Sequence, residues 1–452
     1  MKIVIVGDGK VGFTLAQQLD KEGHDVTIIE EKTRVLENTL NVLDVVGIQG
    51  NGANYDVQIA AGVSEADLLI AATSADEMNI ICCMIAKKIG AQRTIARIRN
   101  PEYIKSLSIL KEDLGLSMQI NPEMAAAREI ARTLRFSHDV KQSTFAKSRV
   151  DLIEVKITKD SPLIGKSIAQ ICKKWKKAKL LICIIQRNQE VFIPNGETII
   201  QENDKISITG STKDVERFLD AIQISFHKIN DVMIIGGGRI AFYLIDMLLD
   251  MGINIKIIER NREKCLQLAE KFPSVCVIEG DGTDHELLLS ESLDKEDAFI
   301  ALTDNDEENI IISMFASNHG VYKVLPKVNR ISLGFLLEKL GLDNIITPKN
   351  ITADQIVQYV RAIQNSMGSN VESLLHILDD RIEILEFRVR ENCRFIDQPL
   401  NEIRFKNGVL IACITHRGIL KVVNGESKIQ LGDTVIVISS TLGLGDINDV
   451  LE

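Results

Sequence analysis

The chain has 452 residues, 45% of them hydrophobic and 26% charged, with a formal net charge of −10. That length exceeds one ordinary domain, at roughly 150 residues each, and the acidic balance excludes a general nucleic-acid binder, which needs a broad basic surface. The longest apolar runs, such as 180–185, fall far short of the roughly 20 residues of a spanning helix, so any membrane role is expected to be peripheral.

In chain order, residues 1–140 alternate short β-branched runs with amphipathic stretches, the pattern of parallel βαβ units. Strands are predicted at 1–6, 26–29, around 45–48, at 68–71 and at 94–98. Helices are predicted at 12–21, with Phe13, Ala16 and Leu19 on one face, and at 77–89. Pro122 suits the first turn of a long helix over 123–134 that leaves the sheet. From 148 to 225 the pattern changes to strands and turns, with strands at 152–157, 180–186 and 206–210. Asn195-Gly196 predicts a hairpin between two of them. The basic run 173–179 reads as a solvated helix end, with an anionic lipid surface or an acidic partner as the alternative. The same succession returns over 229–366 and 370–452, giving four lobes. The expected fold is α/β: two Rossmann-like doubly wound parallel-sheet lobes, each followed by a small α+β lobe.

The return is in register. Gly7-Asp8-Gly9-Lys10-Val11-Gly12 reappears as Gly236-Gly237-Gly238-Arg239-Ile240-Ala241, and Glu30 as Glu259. Thr73 with Asp76, Glu77 and Asn79 returns as Thr303 with Asp306, Glu307 and Asn309. Pro162-Leu163 matches Pro399-Leu400, Asn195-Gly196 matches Asn424-Gly425, and Asp204 matches Asp433. The chain is a tandem duplication. The exposed faces of the helices at 123–134 and 351–363 are candidate assembly surfaces.

A lone G-x-G-x-x-G is weak evidence, but here it follows a strand, opens a helix and precedes a strand ending in Glu30. Gly7 allows the tight turn, Gly9 a close approach to a pyrophosphate, and Gly12 the packing of helix on strand. The helix start offers free N–H groups and a positive dipole end. Glu30 can accept from both ribose hydroxyls while repelling a 2′-phosphate, which favours NAD(H) or an adenine nucleotide over NADP(H). The second loop keeps Gly236, Gly237, Gly238, Arg239, Ile240 and Glu259, with Ala241 at the third glycine position. Asn51-Gly52 and Asp281-Gly282 close the third strands, where an adenine edge belongs; Thr73-Ser74 and Thr303 follow the fourth. Arg97 and its counterpart Lys327 end the next strand, as a terminal-phosphate contact or an ordinary ion pair.

No Tyr-x-x-x-Lys pair, histidine–carboxylate constellation or nucleophile motif accompanies the loops, so no enzyme activity, catalytic residue or metal is expected. The eight cysteines show no C-x-x-C pair, and most read as buried apolar residues of a reducing compartment. A nucleotide-dependent switch is the leading reading; an adaptor for another partner and an NAD-dependent dehydrogenase are the alternatives.

The glycine loop, Ala61-Gly62-Val63 with Ala66-Asp67, Thr73 with Asp76-Glu77 and Asn79, and Arg97 resemble the potassium-conductance regulator (RCK or KTN) domain. Pro162-Leu163, Gly165-Lys166-Ser167, Asn195-Gly196 and Gly210 resemble its small C-terminal lobe. Two copies in one chain are similar to the cytoplasmic regulatory subunit of the bacterial Trk potassium uptake system. The resemblance implies a homotetramer, peripheral on the inner face of the membrane. Its ring of Rossmann lobes would lie beneath a TrkH/TrkG-like potassium-translocating subunit. It also implies NAD(H), ATP or ADP at the glycine loops and Glu30, with Thr73, Ser74 and Arg97 as contacts. Asn51-Gly52 departs from the usual acidic form there, and Lys327 lacks the planar fork of arginine.

Overall fold

The computed structural model describes residues 1–452 except 111–112, 136–139, 146–149, 175–179, 189, 223–228, 330–341, 343, 367–370, 379–380 and 417–418. Most of the basic run 173–179 and the lobe edges expected at 148, 225 and 370 therefore lie outside the described residues.

The described residues form two compact units, one holding both Rossmann lobes and the other both small lobes. In the first Rossmann lobe β1 (Lys2–Val6), α1 (Lys10–Lys21), β2 (Asp25–Glu30), α2 (Thr33–Leu40), β3 (Val46–Gln49) and α3 (Tyr55–Ala60) form one winding. β4 (Leu68–Ala71), α4 (Asp76–Ile89), β5 (Arg93–Arg97), α5 (Pro101–Leu110), β6 (Met118–Ile120) and α6 (Pro122–Arg135) form the other. The sheet order β3-β2-β1-β4-β5-β6 is parallel and reverses between β1 and β4. β1 and β4 are buried on both faces, which is why they read as continuous apolar runs rather than alternating ones.

The first small lobe comprises β7 (Val140–Phe145), β8 (Val150–Lys156), α7 (Ile168–Lys174), β9 (Leu180–Arg187), β10 (Glu190–Phe192), β11 (Lys205–Gly210) and α8 (Thr212–Ala221). Its antiparallel sheet runs β10-β9-β11-β8-β7. The hairpin expected at Asn195-Gly196 is instead at β9–β10, where Arg187 faces Glu190 and Asn188 takes φ +55°. The Asn195 side chain accepts from the Glu197 and Thr198 N–H groups, and this local turn outcompetes a strand ladder.

The second Rossmann lobe repeats the first with β12 (Asp231–Ile235), α9 (Arg239–Asp250), β13 (Asn254–Glu259), α10 (Arg262–Lys271), β14 (Cys276–Glu279), α11 (His285–Ser290), β15 (Ala298–Ala301), α12 (Asp306–Asn318), β16 (Lys323–Pro326) and α13 (Pro348–Ser366). Its order is β14-β13-β12-β15-β16. The second small sheet, β17 (Val371–Ile377), β18 (Ile382–Arg388), β19 (Val409–His416), β20 (Ile419–Val422) and β21 (Thr434–Ser439), runs β17-β18-β21-β19-β20. Within their unit the two small lobes share a buried cluster that includes Leu152, Cys183, Ile184, Ile384, Cys413 and Ile436.

The two Rossmann lobes pack through α6 against α9. Ala126, Ala127, Ile130 and Leu134 join Ile240, Tyr243 and Leu244 in one core. The apolar stripe of 123–134 is thus covered within the chain, and in 351–363 Ala353, Ile356 and Val360 are buried, while the opposite face of the first helix, with Arg128, stays exposed. An amphipathic stripe specifies that a helix needs a partner, not which molecule supplies it. Polar contacts cross the same junction. Asn121 donates to the Tyr243 hydroxyl at 2.9 Å, which donates to the Arg99 carbonyl at 2.9 Å, and Gln18 donates to Asp354 at 3.0 Å.

Candidate nucleotide-binding site

The turn after β1 is built by sterics. Gly7 has φ +94°, and a Cβ there would lie 3.0 Å from the Thr73 backbone. A Cβ on Gly12 would meet the Gly7 carbonyl oxygen at 1.9 Å, so helix α1 sits on the turn only because residue 12 is glycine. Gly9 faces open space and caps α1 without a side-chain bond, leaving the N–H groups that open the helix free of any side-chain cap. Lys10 is exposed, whereas the Val11 side chain lies in the core and offers only its backbone.

Glu30 ends β2 beside this turn. Its carboxylate accepts from the Asp8 N–H at 2.8 Å and the Lys32 N–H at 3.0 Å. A carboxylate has about four lone-pair sites, so two stay available for hydroxyls. Asp8 itself is 4% exposed, and burial, with Glu30 nearby, pushes its carboxyl above the usual range while the Thr39 hydroxyl acts against that.

Across the switch point, Asn79 holds the loop after β4. Its side-chain oxygen accepts from the Thr73 N–H at 2.8 Å and hydroxyl at 2.7 Å, and its amide donates to the Thr73 and Arg97 carbonyls. Asp76 accepts from the Arg99 and Asn100 N–H groups, each at 2.8 Å, and Arg99 donates to the Ser74 carbonyl. Asn79 and Asp76 were legible as repeated letters but not as the clamp of this loop. The Arg97 guanidinium faces α6. It lies 3.9 Å from Glu123 on α6, and burial, with Arg99 and Arg239 nearby, lowers its proton affinity.

The second loop repeats the frame. Gly236 has φ +97°. Gly237 donates to Glu259 at 2.6 Å, Asn261 donates to Glu259 at 2.8 Å, and Gly238 faces open space. Ile240 lies in the core and Arg239 is exposed. Asn309 repeats the clasp on Thr303 at 2.9 Å and on the Lys327 carbonyl at 2.9 Å. Lys327 Nζ faces Asp304 at 3.4 Å.

Gly52 and Gly282 have a packing role: a Cβ on either would come 2.1 Å from Val6 or Ile235 of the first strand. Asn51 and Asp281 bond forward within their own turns, to Ala53 at 2.8 Å and Thr283 at 2.9 Å. Cys82 and Cys83 are both buried, and burial pushes the Cys82 thiol up to about 12, which keeps it inert. No described helix is long and apolar enough to cross a membrane.

The TrkA-N domain model matches residues 3–122 and 232–348, and the TrkA-C domain model residues 152–223 and 384–449. The Trk system potassium uptake protein TrkA homolog 2 of Methanosarcina mazei is 31% identical, over 97% of this chain and 97% of its own. The TrkA homolog of Archaeoglobus fulgidus is 32% identical, again over 97% of each. Among solved structures, the GsuK RCK domain shares the fold at a TM-score of 0.62 and 16% identity, over 97% of this chain and 92% of that one. The GsuK channel bound to NAD shares it at the same score and identity, over 97% of this chain and 76% of that one. The GsuK structure bound to ADP has a TM-score of 0.50 and 14% identity, covering 79% of this chain and 69% of that one. Two Rossmann lobes with glycine loops at their switch points, each followed by a small antiparallel lobe, match those domain models in order and extent: the chain belongs to the TrkA family, as a tandem of two TrkA-N and two TrkA-C (RCK) domains.

Proposed function

We propose that this chain is a nucleotide-sensing regulatory subunit that gates a potassium uptake channel, not an enzyme. The observation that supports it most is the pairing of two open glycine loops, each with its acid in place, on lobes locked together through α6 and α9. NAD(H), ATP or ADP would bind with its phosphates at Gly7–Gly12 and Gly236–Arg239 and its ribose at Glu30 or Glu259. Thr73, Ser74, Thr303, Arg97 and Lys327 would border the far side. Thr73 acts there mainly through its loop, since its hydroxyl is already bonded to Asn79. NAD and ADP are the ligands of the GsuK structures above, which supports that ligand class. The potassium uptake names of the relatives support the channel partner.

Four chains would form a ring on the cytoplasmic face of the potassium-translocating subunit. Among the described residues, the exposed apolar Ile59 and Ile81 of the first Rossmann lobe recur at equivalent places as the exposed Leu289 and Ile311 of the second. Such a repeated face suits closed assembly. Regulation would be linkage: a nucleotide shifts the ring only by its differential affinity for two shapes, about 1–3 kcal/mol of coupling per site.

The test is potassium flux in vesicles carrying the membrane subunit, with purified protein added and NADH, NAD, ATP and ADP supplied in turn. The reading expects flux to depend on nucleotide, and to lose that dependence in Gly9→Asp with Gly238→Asp. Flux indifferent to all four would overturn it.

A further inference from the structure

The two glycine loops differ at one pair of touching positions. In the first, the middle residue is Asp8, and the residue facing it from α2 is Thr39, 2% exposed. In the second, the same positions hold Gly237 and Leu268, and a Cβ on Gly237 would already lie 2.7 Å from the Leu268 side chain. The pair differs at both positions: an acid over a hydroxyl in one loop, a glycine under a methyl group in the other.

Asp8 sits where its ionised form is disfavoured. Both carboxylate oxygens are buried, and neither makes a hydrogen bond of normal geometry. The groups acting on it are the Thr39 hydroxyl from α2 and the Glu30 carboxylate from β2, the second of like charge. A buried carboxylate beside another of like charge, with one hydroxyl against it, is costly in the ionised form. It lies one residue before the Gly9 cap of α1, where the phosphates of a bound nucleotide would bring further negative charge.

We propose that Asp8 makes nucleotide binding at the first loop proton-linked, while the second loop, with Gly237 and Leu268, binds without taking up a proton. This rests on the nucleotide-sensing reading and names a regulation of the same site. The sign follows from like charges. An anionic ligand raises the proton affinity of Asp8, so binding takes up a proton and affinity falls as pH rises through the range in which free Asp8 ionises. One chain would then carry a pH-dependent and a pH-independent sensor of the same ligand.

The experiment is calorimetric titration with NAD, whose pyrophosphate does not change charge, over a pH series that brackets the ionisation of free Asp8. Gly238→Asp isolates the first loop and Gly9→Asp the second; each glycine faces open space, so the fold is kept. The first loop should weaken about tenfold across the range, with an enthalpy that depends on the buffer's own ionisation. The second should stay flat. Asp8→Gly with Thr39→Leu should flatten the first, and Gly237→Asp with Leu268→Thr should confer the slope on the second. Saturable binding with equal slopes at the two loops overturns the proton linkage alone. An absence of NAD binding at every pH in wild type and variants overturns the sensing reading, and this inference with it.

Discussion

The two glycine loops keep one frame and differ in what fills it. Glu30 and Glu259 each accept the N–H of the loop's middle residue, and Asn79 and Asn309 hold the opposite loop through matching bonds. Yet residue 12 must be glycine, since a Cβ there would collide with the Gly7 oxygen, whereas Ala241 is accommodated at the equivalent place. The difference teaches that the third glycine position is decided by the packing of helix on turn, which is tighter at Gly12 than alanine allows. The middle position, Asp8 against Gly237, is where the two sites diverge chemically.

The largest expected effect uses that contrast. Gly12→Ala should destabilise the first Rossmann lobe by about 3 kcal/mol, because helix and turn must move apart. Ala241→Gly should cost only about 1 kcal/mol from backbone entropy. Denaturant unfolding with two resolved probes checks both, and equal losses would break the steric account of the third glycine. Next, Asn79→Ala and Asn309→Ala should each cost about 2 kcal/mol, since each leaves buried backbone groups of the switch-point loop without partners. A large difference between them would mean that the clasps are not equivalent. The smallest effect concerns the acids. Glu30→Gln and Glu259→Gln should each weaken NAD binding by about 1 kcal/mol and admit a 2′-phosphate, as one acceptor is lost and the repulsion removed. Discrimination against NADP that survives both changes would remove the ribose role.

Much of this frame was legible in the sequence because duplication writes it twice. Gly7, Glu30 and Thr73 recur in register at Gly236, Glu259 and Thr303, and the strands they end are apolar runs bounded by turns. What was not legible depends on contacts between distant segments. Ala126, Ile130 and Leu134 form the same stripe whether the partner is α9 of the same chain or another molecule. Asn195-Gly196 carries the letters of a hairpin, but the turn that closes β9 on β10 falls earlier, at Asn188, where the backbone accepts positive φ without glycine. Gly52 read as part of an adenine edge because its neighbour in space, Val6, is 46 residues away in the chain. Arg97 carried two readings, a phosphate contact or an ion pair, and the sequence did not name its acid because Glu123 is not its neighbour in the chain.

The central claim is that both loops bind nucleotide. Calorimetric titration with NADH, NAD, ATP and ADP, on wild type, Gly9→Asp and Gly238→Asp, tests it most directly. The account predicts two sites per chain in wild type and the loss of one in each variant, with the fold intact because both glycines face open space. Binding whose stoichiometry is unchanged by either substitution, or no binding of any of the four, would contradict it.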